Sequence, residues 1–517
     1  MPKIWSPPVE LSPQEERIIK RCKKSRLFIF LREHRHRLFD DAFQLELAAM
    51  YPGPQRGKAI VAPAMLAMVT LLQAAMRVSD EEAVEISSLG DRRWQMVLDI
   101  VGKEDAPFSQ GTLFNFRQRL IAHDLDRRLL ERTVELARET RGFGHTALRA
   151  AFDASPLFGA GRVEDTFNLI GHAVREVLST LANDSGITIG EMANRAGIPL
   201  VAGSSLKAML DLDWDDPQQK SQGLARLIEQ VDALGRFLRA QHADDLLRPP
   251  LKEQWETVQQ IIAQDVEPDP SGGVQIKRGV AKERRISVRD REMRHGRKSK
   301  SSRVDGFKRH IAIDLTNGII LAAAVTPANR PEGEASPELF AGVERQGLKI
   351  VELYIDRGYL AAPIVEQRRG EGTAVHCKAF PLRNHGRFTK AAFALDFATG
   401  TVTCPAGATA PLRVGAVTHF PRGVCDVCAV RGKCTESKSG RALAIHAQEP
   451  FLAQLRATQR TPEGRADLRK RTPVEHGLAA ISRTQGRRAR YIGTRKNLFD
   501  LRRHAAVMNL HAAARAA

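Results

Sequence analysis

Ile350-Val-Glu-Leu-Tyr-Ile-Asp356 is an apolar run of strand length that stops on a carboxylate. Leu148-Arg-Ala-Ala-Phe-Asp153 has the same form, and the Gly/Pro-rich stretch Ser155 to Gly161 follows it. An aspartate at the end of a buried strand stands at the rim of a sheet, where α/β proteins place their sites. Between the two lie Lys308–Asp314 and Ile319–Val325, flanking Thr316-Asn-Gly318. Asn-Gly between apolar strands predicts a hairpin. A helix over Ser336–Gln346 precedes the second Asp-ended strand. The order strand, hairpin, helix, strand predicts a mixed α/β sheet.

Outward from that sheet the texture is helical. Residues 1–145 read as helices; Ser79 with Glu82 forms a capping box, and Asp91 to Val101 carries an apolar face. Ser109–Leu120 has a hydroxyl-rich start with Arg117 and Arg119 inside it. It suits either the second helix of a helix-turn-helix or a packing helix with two solvated arginines. Residues 165–265 are helical again. Leu224, Leu227, Val231, Leu234 and Leu238 keep a 3–4 spacing that predicts one continuous packing seam. Glu267–Gly273 reads as a linker.

The 517 residues are 43% hydrophobic and 27% charged, which excludes wholesale disorder. The 79 Lys+Arg against 60 Asp+Glu leave +19, a balance that favours a polyanionic partner, most simply nucleic acid. The N-terminus has no apolar signal region. Ala59–Met76, the longest apolar run, is broken by Pro63, Thr70 and Gln73 and reads as a buried helix rather than a membrane span. Six cysteines in this length make no disulfide framework, so a reduced, cytoplasmic protein is expected, with no membrane partner.

A third acid, Glu475, lies in Arg-Thr-Pro-Val-Glu-His-Gly-Leu, a helix start with Pro473 in its first turn. Three carboxylates at one rim would suit a pair of Mg²⁺ or Mn²⁺ ions, which prefer hard oxygen ligands. Two such ions about 3.5–4 Å apart activate an attacking oxygen and stabilise a leaving one in phosphoryl transfer.

Four stretches carry a family likeness: Phe152-Asp-Ala-Ser-Pro-Leu-Phe-Gly-Ala-Gly-Arg-Val-Glu-Asp-Thr-Phe-Asn-Leu169, Asp305-Gly-Phe-Lys-Arg-His-Ile-Ala-Ile-Asp314, Val325-Thr-Pro-Ala-Asn-Arg-Pro-Glu-Gly-Glu334 and Tyr354-Ile-Asp-Arg-Gly-Tyr359. Through them the chain resembles the DDE transposases of bacterial insertion sequences, whose catalytic core is ribonuclease-H-like. The resemblance implies that Asp153, Asp356 and Glu475 are the metal-binding, catalytic acids. It implies that metal-activated water cuts the element's ends and that the freed 3′-hydroxyls attack target DNA. Around the glutamate many relatives carry Tyr, two residues, Arg, three residues, Glu, six residues, Lys. Here Arg471 and Glu475 fit, Leu468 and Ser482 take the Tyr and Lys places, Arg483 lies one position after the latter, and Glu463 is a distant fallback. Two rivals share these residues: a metal-dependent nuclease without strand transfer, and a DNA-binding relative that has lost activity.

Basic residues crowd the same segments. Ala281–His310 holds twelve Lys/Arg against four acids and Arg465–Arg503 twelve against three. Runs beside metal-binding carboxylates are expected to contact phosphates; Arg294, Arg297, Lys298, Lys300, Arg471 and Arg483 are the candidates, with Arg117 and Arg119 for the N-terminal helix. Cys404, Cys425, Cys428 and Cys434, spaced Cys-x20-Cys-x2-Cys-x5-Cys, could close a structural Zn²⁺ site or be reduced structural cysteines. Arg162, Asp165, Thr166 and Asn168 could orient substrate or cap the next helix, and the cap is the reading preferred. The organisation expected is an N-terminal all-helical, DNA-binding domain (1–145), a first part of the core (146–174), a helical insertion (175–275), a second part of the core (276–361), a cysteine-bearing insertion (362–460) and basic C-terminal helices (461–517). Double-stranded DNA (element ends and target), a homo-oligomer on DNA and association with the nucleoid complete the expectation.

Overall fold

A computed structural model describes residues 2–22, 24–51, 53, 60–141, 147–270, 272–298 and 301–516. Eight strands matter for the site: β1 (Ala147–Phe158), β2 (Val266–Pro268), β3 (Val274–Ile276), β4 (Arg294–Arg297), β5 (Arg303–Asp314), β6 (Ile320–Pro327), β7 (Lys349–Ile355) and β8 (Ala374–His376). The main sheet runs β4-β5-β1-β7-β8, with β6 also paired to β5. β1 is antiparallel to β5 and parallel to β7, so the fold is mixed α/β, as expected.

β1 is longer than its sequence suggests. It does not stop at Asp153 but continues through Pro156 to Phe158, paired all the way with β5. The parallel ladder to β7 ends at Phe152↔Ile355, so Pro156 lies where β1 has become an edge on that side. Proline is tolerated there because no ladder bond on that edge needs its missing N–H. Likewise Glu267–Gly273 is no open linker: β2 and β3 pair as a hairpin across it.

Alternate residues of the sheet feed two cores. Ala150, Phe152, Ala312 and Leu353 join Leu339 and Phe340 of the helix Ser336–Glu344 on one face. Ala151, Ile311, Ile313 and Tyr354 face the other way, onto Val474, Leu478 and Ile481 of the helix Thr472–Thr484 and into the N-terminal helices. The last helix, Thr494–Ala516, is buried between sheet and N-terminal helices. It is therefore not the exposed basic tail that its composition suggests. Arg503 pairs with Asp500 inside it, and Arg502 reaches Asp124 and Asp126.

The helical insertion opens at Thr166, inside the segment assigned to the core, because Asp165 caps the helix Thr166–Ser185 by accepting from Asn168 N. Residue 175 falls within that helix. Leu224, Leu227, Val231, Leu234 and Leu238 all lie on the buried face of the helix Pro217–Gln241. The cysteine-bearing segment has a small core of its own, with Phe393, Val402, Phe420 and Leu443. Ala59–Met76 contains the buried helix Pro63–Met76; among the described residues no helix is long and apolar enough to cross a membrane.

Candidate active site

Asp153 and Asp356 each follow the last pair of the β1–β7 ladder, so two parallel strands deliver them side by side. Side chains alternate along β1, which puts Asp153 on the same face as Ala151, beneath the helix Thr472–Thr484. That helix presents Glu475 in its first turn, and Arg471 precedes it. The three acids meet on one guanidinium. Arg471 Nη2 donates to Asp153 Oδ2 at 2.9 Å and lies 3.6 Å from Glu475 Oε1, while Nη1 is 3.7 Å from Asp356 Oδ1.

These groups line a cleft of about 530 Å³ shared with Arg297, Lys298, Lys308 and Glu332. Glu332 is a fourth carboxylate that motif reading missed, although it sits in the quoted stretch Val325–Glu334. Its oxygen lies against the backbone just after Asp356: a Cβ on Gly358 would fall 2.1 Å from Glu332 Oε2. Glycine at 358 is what admits it. Burial raises the Asp153 carboxyl above its ordinary value despite Arg471, and burial also raises Glu332, with Asp356 and Asp153 adding to it. Burial opposes the charge on Arg471, but Asp153, Asp356 and Glu475 outweigh it and raise the guanidinium's pKa.

Buried supports hold the acids in place. Arg309 donates to Ser155 Oγ at 2.8 Å, Gln485 Oε1 at 2.8 Å, Gly486 O at 2.9 Å and Ser482 Oγ at 2.5 Å, fastening the Glu475 helix to β1 and β5. Burial lowers its pKa to about 10. His310 contacts Tyr359 Oη at 2.7 Å and Thr326 Oγ1 at 2.9 Å, fixing the turn that follows Asp356. Burial lowers His310 to about 3, so it is neutral. Arg309 and His310 carried no motif signal beyond their place in Asp305–Asp314.

The remaining expected residues are placed unevenly. Arg297 and Lys298 line the cleft, and Arg294 lies beside it, donating to Arg291 O and Met293 O. Lys300 lies outside the described residues. Ser482 faces the cleft, whereas Arg483 is exposed and does not line it; one residue along a helix turns the side chain by about 100°. Arg117 forks onto Asp80 at 2.5 and 2.6 Å, an internal commitment that removes it from the exposed face of its helix. Arg119 is exposed and stacks on Tyr51.

Cys404, Cys425, Cys428 and Cys434 line one pocket of about 320 Å³. Burial raises the Cys434 thiol, and Cys425, Cys404 and Cys428 add to the effect, so the four are neighbours. Among the described residues, no group of three or more His, Cys, Asp or Glu stands ready to hold a metal ion. At the carboxylates, Arg471 stands within 3.7 Å of all three acids. The donor set itself is all oxygen and carries more negative charge than Arg471 offsets, which fits a hard dication.

No curated protein and no solved structure matches the chain. Residues 403–513 match the family model of the transposase DDE domain, a range that includes all four clustered cysteines and Glu475. Asp153 and Asp356 lie outside it, in the part of the chain that the sheet brings to Glu475. The match supports a DDE transposase, an enzyme of the nuclease and transposase kind that acts on DNA.

Proposed function

We propose that the protein is an insertion-sequence transposase with a ribonuclease-H-like core, which binds the ends of a mobile element, cuts them and joins them to target DNA. The observation that carries this reading is the meeting of Asp153, Asp356 and Glu475 on Arg471 at the end of a parallel strand pair. In this reading the three acids hold magnesium or manganese, with Glu332 close by. The bound ions supply the Lewis acidity that activates an attacking oxygen and stabilises a leaving one. Arg471 then turns from the carboxylates to a phosphate, since a guanidinium suits either anion. Lys308, Arg297 and Lys298 hold the backbone by charge, and Arg309 and His310 keep the acids from shifting. The four thiols are read as a structural zinc site, an all-sulfur set that suits that ion. Double-stranded DNA is the substrate, and a homo-oligomer assembles on it.

The test pairs two assays on DNA carrying the sequences that flank the coding region. Asp153→Asn and Asp356→Asn should each abolish nicking and leave gel-shift binding nearly intact. Retained cleavage in either variant sinks the assignment. Joining of the cut end to a second duplex separates a transposase from a nuclease.

A further inference from the structure

The cleft opens sideways into a larger trough. Arg297, Lys308 and Ala328 line both spaces, and the trough encloses about 900 Å³ between β4 and the edge of the helical insertion. β4 lies hard against the segment after β6: a Cβ on Gly296 would come within 2.2 Å of the Ala328 carbonyl oxygen, so glycine is required there.

Eight Lys/Arg line the trough against three acids. Each of the three acids is already engaged: Asp265 with Arg284 and Thr166, Glu164 with His172 and the Val288 N–H, and Asp165 with Lys207 and the Asn168 N–H. Four of the cations are engaged as well, Arg284 with Asp265, Arg294 and Arg330 with Glu283, and Arg303 with Asp305. The charge left in the trough is positive because Lys277, Lys282 and Lys308 make no ion pair among the described residues. Among these cations stand three exposed aliphatic side chains, Val163 (39% exposed), Ile276 (42%) and Val280 (66%). Phosphates of a duplex call only for cations, because the bases are stacked inside. Cations interleaved with open aliphatic surface suit a strand whose bases are free to pack, the groove tracking the phosphates and the aliphatic groups giving the bases van der Waals contact. Position gives the strand its direction. The N-terminal helices join β1 at its start, whereas the chain leaves its end at Phe158 and enters the trough at Val163, with Asp153 between them.

We propose that this trough binds an unpaired DNA strand running out of the cleft, on the side away from the N-terminal helices. The inference rests on the cleft being a DNA-cutting site. It adds a single-strand subsite, built jointly by the helical insertion, the β2–β3 hairpin and β4.

The probes are a fluorescein-labelled oligo(dT) of about twenty nucleotides and a random duplex of about the same length, followed by anisotropy in the full chain. Ile276→Ser with Val280→Ser should weaken oligo(dT) about fivefold, because the bases lose apolar packing surface while the charge of the trough is unchanged. Duplex binding should change by less than about twofold, since duplex bases never reach that surface. Lys282→Ala, at an exposed site, should lower the slope of log K against log salt by about 0.7 for the single strand. It also serves as the second variant if the double substitution does not fold. Equal weakening of both probes would mean a duplex phosphate track and overturn the inference. So would a wild type that binds duplex but not oligo(dT), and that result leaves the proposed cutting site standing. A wild type that binds neither probe overturns both.

Discussion

The carboxylate cleft and the cysteine pocket are two places where this chain gathers oxygen or sulfur side chains of one kind, and they are built in opposite ways. The acids come from residues 153, 332, 356 and 475, brought together only when β1 and β7 pair and the Thr472–Thr484 helix docks. The thiols come from residues 404 to 434 and need only the small core around Val402 and Phe420. The first is crowded like charge held by a cation, Arg471; the second is a set of thiols with a weakly ionised member, Cys434. A long-range site depends on the whole fold, whereas a local one depends on its own loop. Perturbations should therefore separate them.

The largest separation should come from parallel substitutions. Asp153→Asn should cost at least about a thousandfold in strand cleavage, the several kcal/mol that metal-assisted charge stabilisation provides, and leave the metal content at the cysteines unchanged. Cys425→Ser with Cys428→Ser should release about one zinc per chain, the stoichiometry of a four-thiolate site. It should also open residues 400–440 to proteolysis while the urea midpoint of the rest holds. Metal analysis, limited proteolysis and nicking assays on both proteins decide. A wild type without zinc returns the cysteines to reduced structural thiols; cysteine variants as dead as Asp153→Asn would end the claim of independence.

Arg309→Met probes the long-range assembly. Its loss leaves the buried Gln485 oxygen without its donor, a cost of about 1–3 kcal/mol, and removes the ties to the half-buried Ser155, Ser482 and Gly486. Urea unfolding should show a lower midpoint, and cleavage should fall because the Glu475 helix loses its fastening. Zinc content should stay as in the wild type. An unchanged midpoint would show that the apolar contacts of Val474, Leu478 and Ile481 suffice to hold that helix.

Sequence reading named the three acids that meet on Arg471, from strand ends and a family likeness, and missed the long-range contacts around them. The Asp-ended run at Ile350–Asp356 declared itself because burial and strand end coincide there, and Asn317-Gly318 marked the hairpin for a local steric reason, Gly318 lying at φ 68°. β1 hid its length because Pro156 normally ends strands, and only the register with β7 shows that the proline faces an edge. Arg117 looked available for DNA because its partner, Asp80, lies on another helix. Arg502 and Arg503 looked like a basic surface because nothing local shows that their helix is buried. Glu332 lay in plain sight, but its approach to Asp356 depends on Gly358 having no side chain.

Acid should stress the cleft side first. Burial holds His310 at about 3 and His504 at about 4, so both stay neutral in the folded protein. In the unfolded chain they take up protons below about pH 6.5. The unfolded state then binds more protons, so stability is fully present above about pH 6.5. It is lost as pH falls from there toward 4, by about 1.36 kcal/mol per pH unit for each histidine. His310→Gln should reduce the steepness of unfolding free energy against pH over that window. Of the four histidines in the cysteine-bearing segment, His385, His419 and His446 are exposed and His376 is half-buried against Tyr354, outside the small core around the thiols, so the protease resistance of residues 400–440 should hold over the same range. Equal steepness in the variant would remove His310 from the account.

The smallest effect should lie in the salt dependence of DNA binding, and it tests whether each region's charge is available. Arg297 and Lys298 stand in the cleft with their side chains exposed. Each phosphate they neutralise releases condensed counterions and contributes about −0.9 to the slope of log K against log salt on duplex DNA. Replacing both by Ala should flatten the slope by about 1.8, and replacing Lys300 as well by about 2.7 in all. Random and cognate duplexes should weaken by similar factors, because phosphates carry no sequence information. The cysteine-bearing segment is also basic, but Arg422 and Arg431 converge on one carboxylate, Asp426, which offsets half of their charge, and neither lines the cleft. Arg422→Ala with Arg431→Ala should leave the slope within experimental error of the wild type. Titrations at several salt concentrations on one duplex compare the two pairs directly. A slope that falls for the second pair and not for the first would place the duplex on the cysteine-bearing segment and take it away from the cleft.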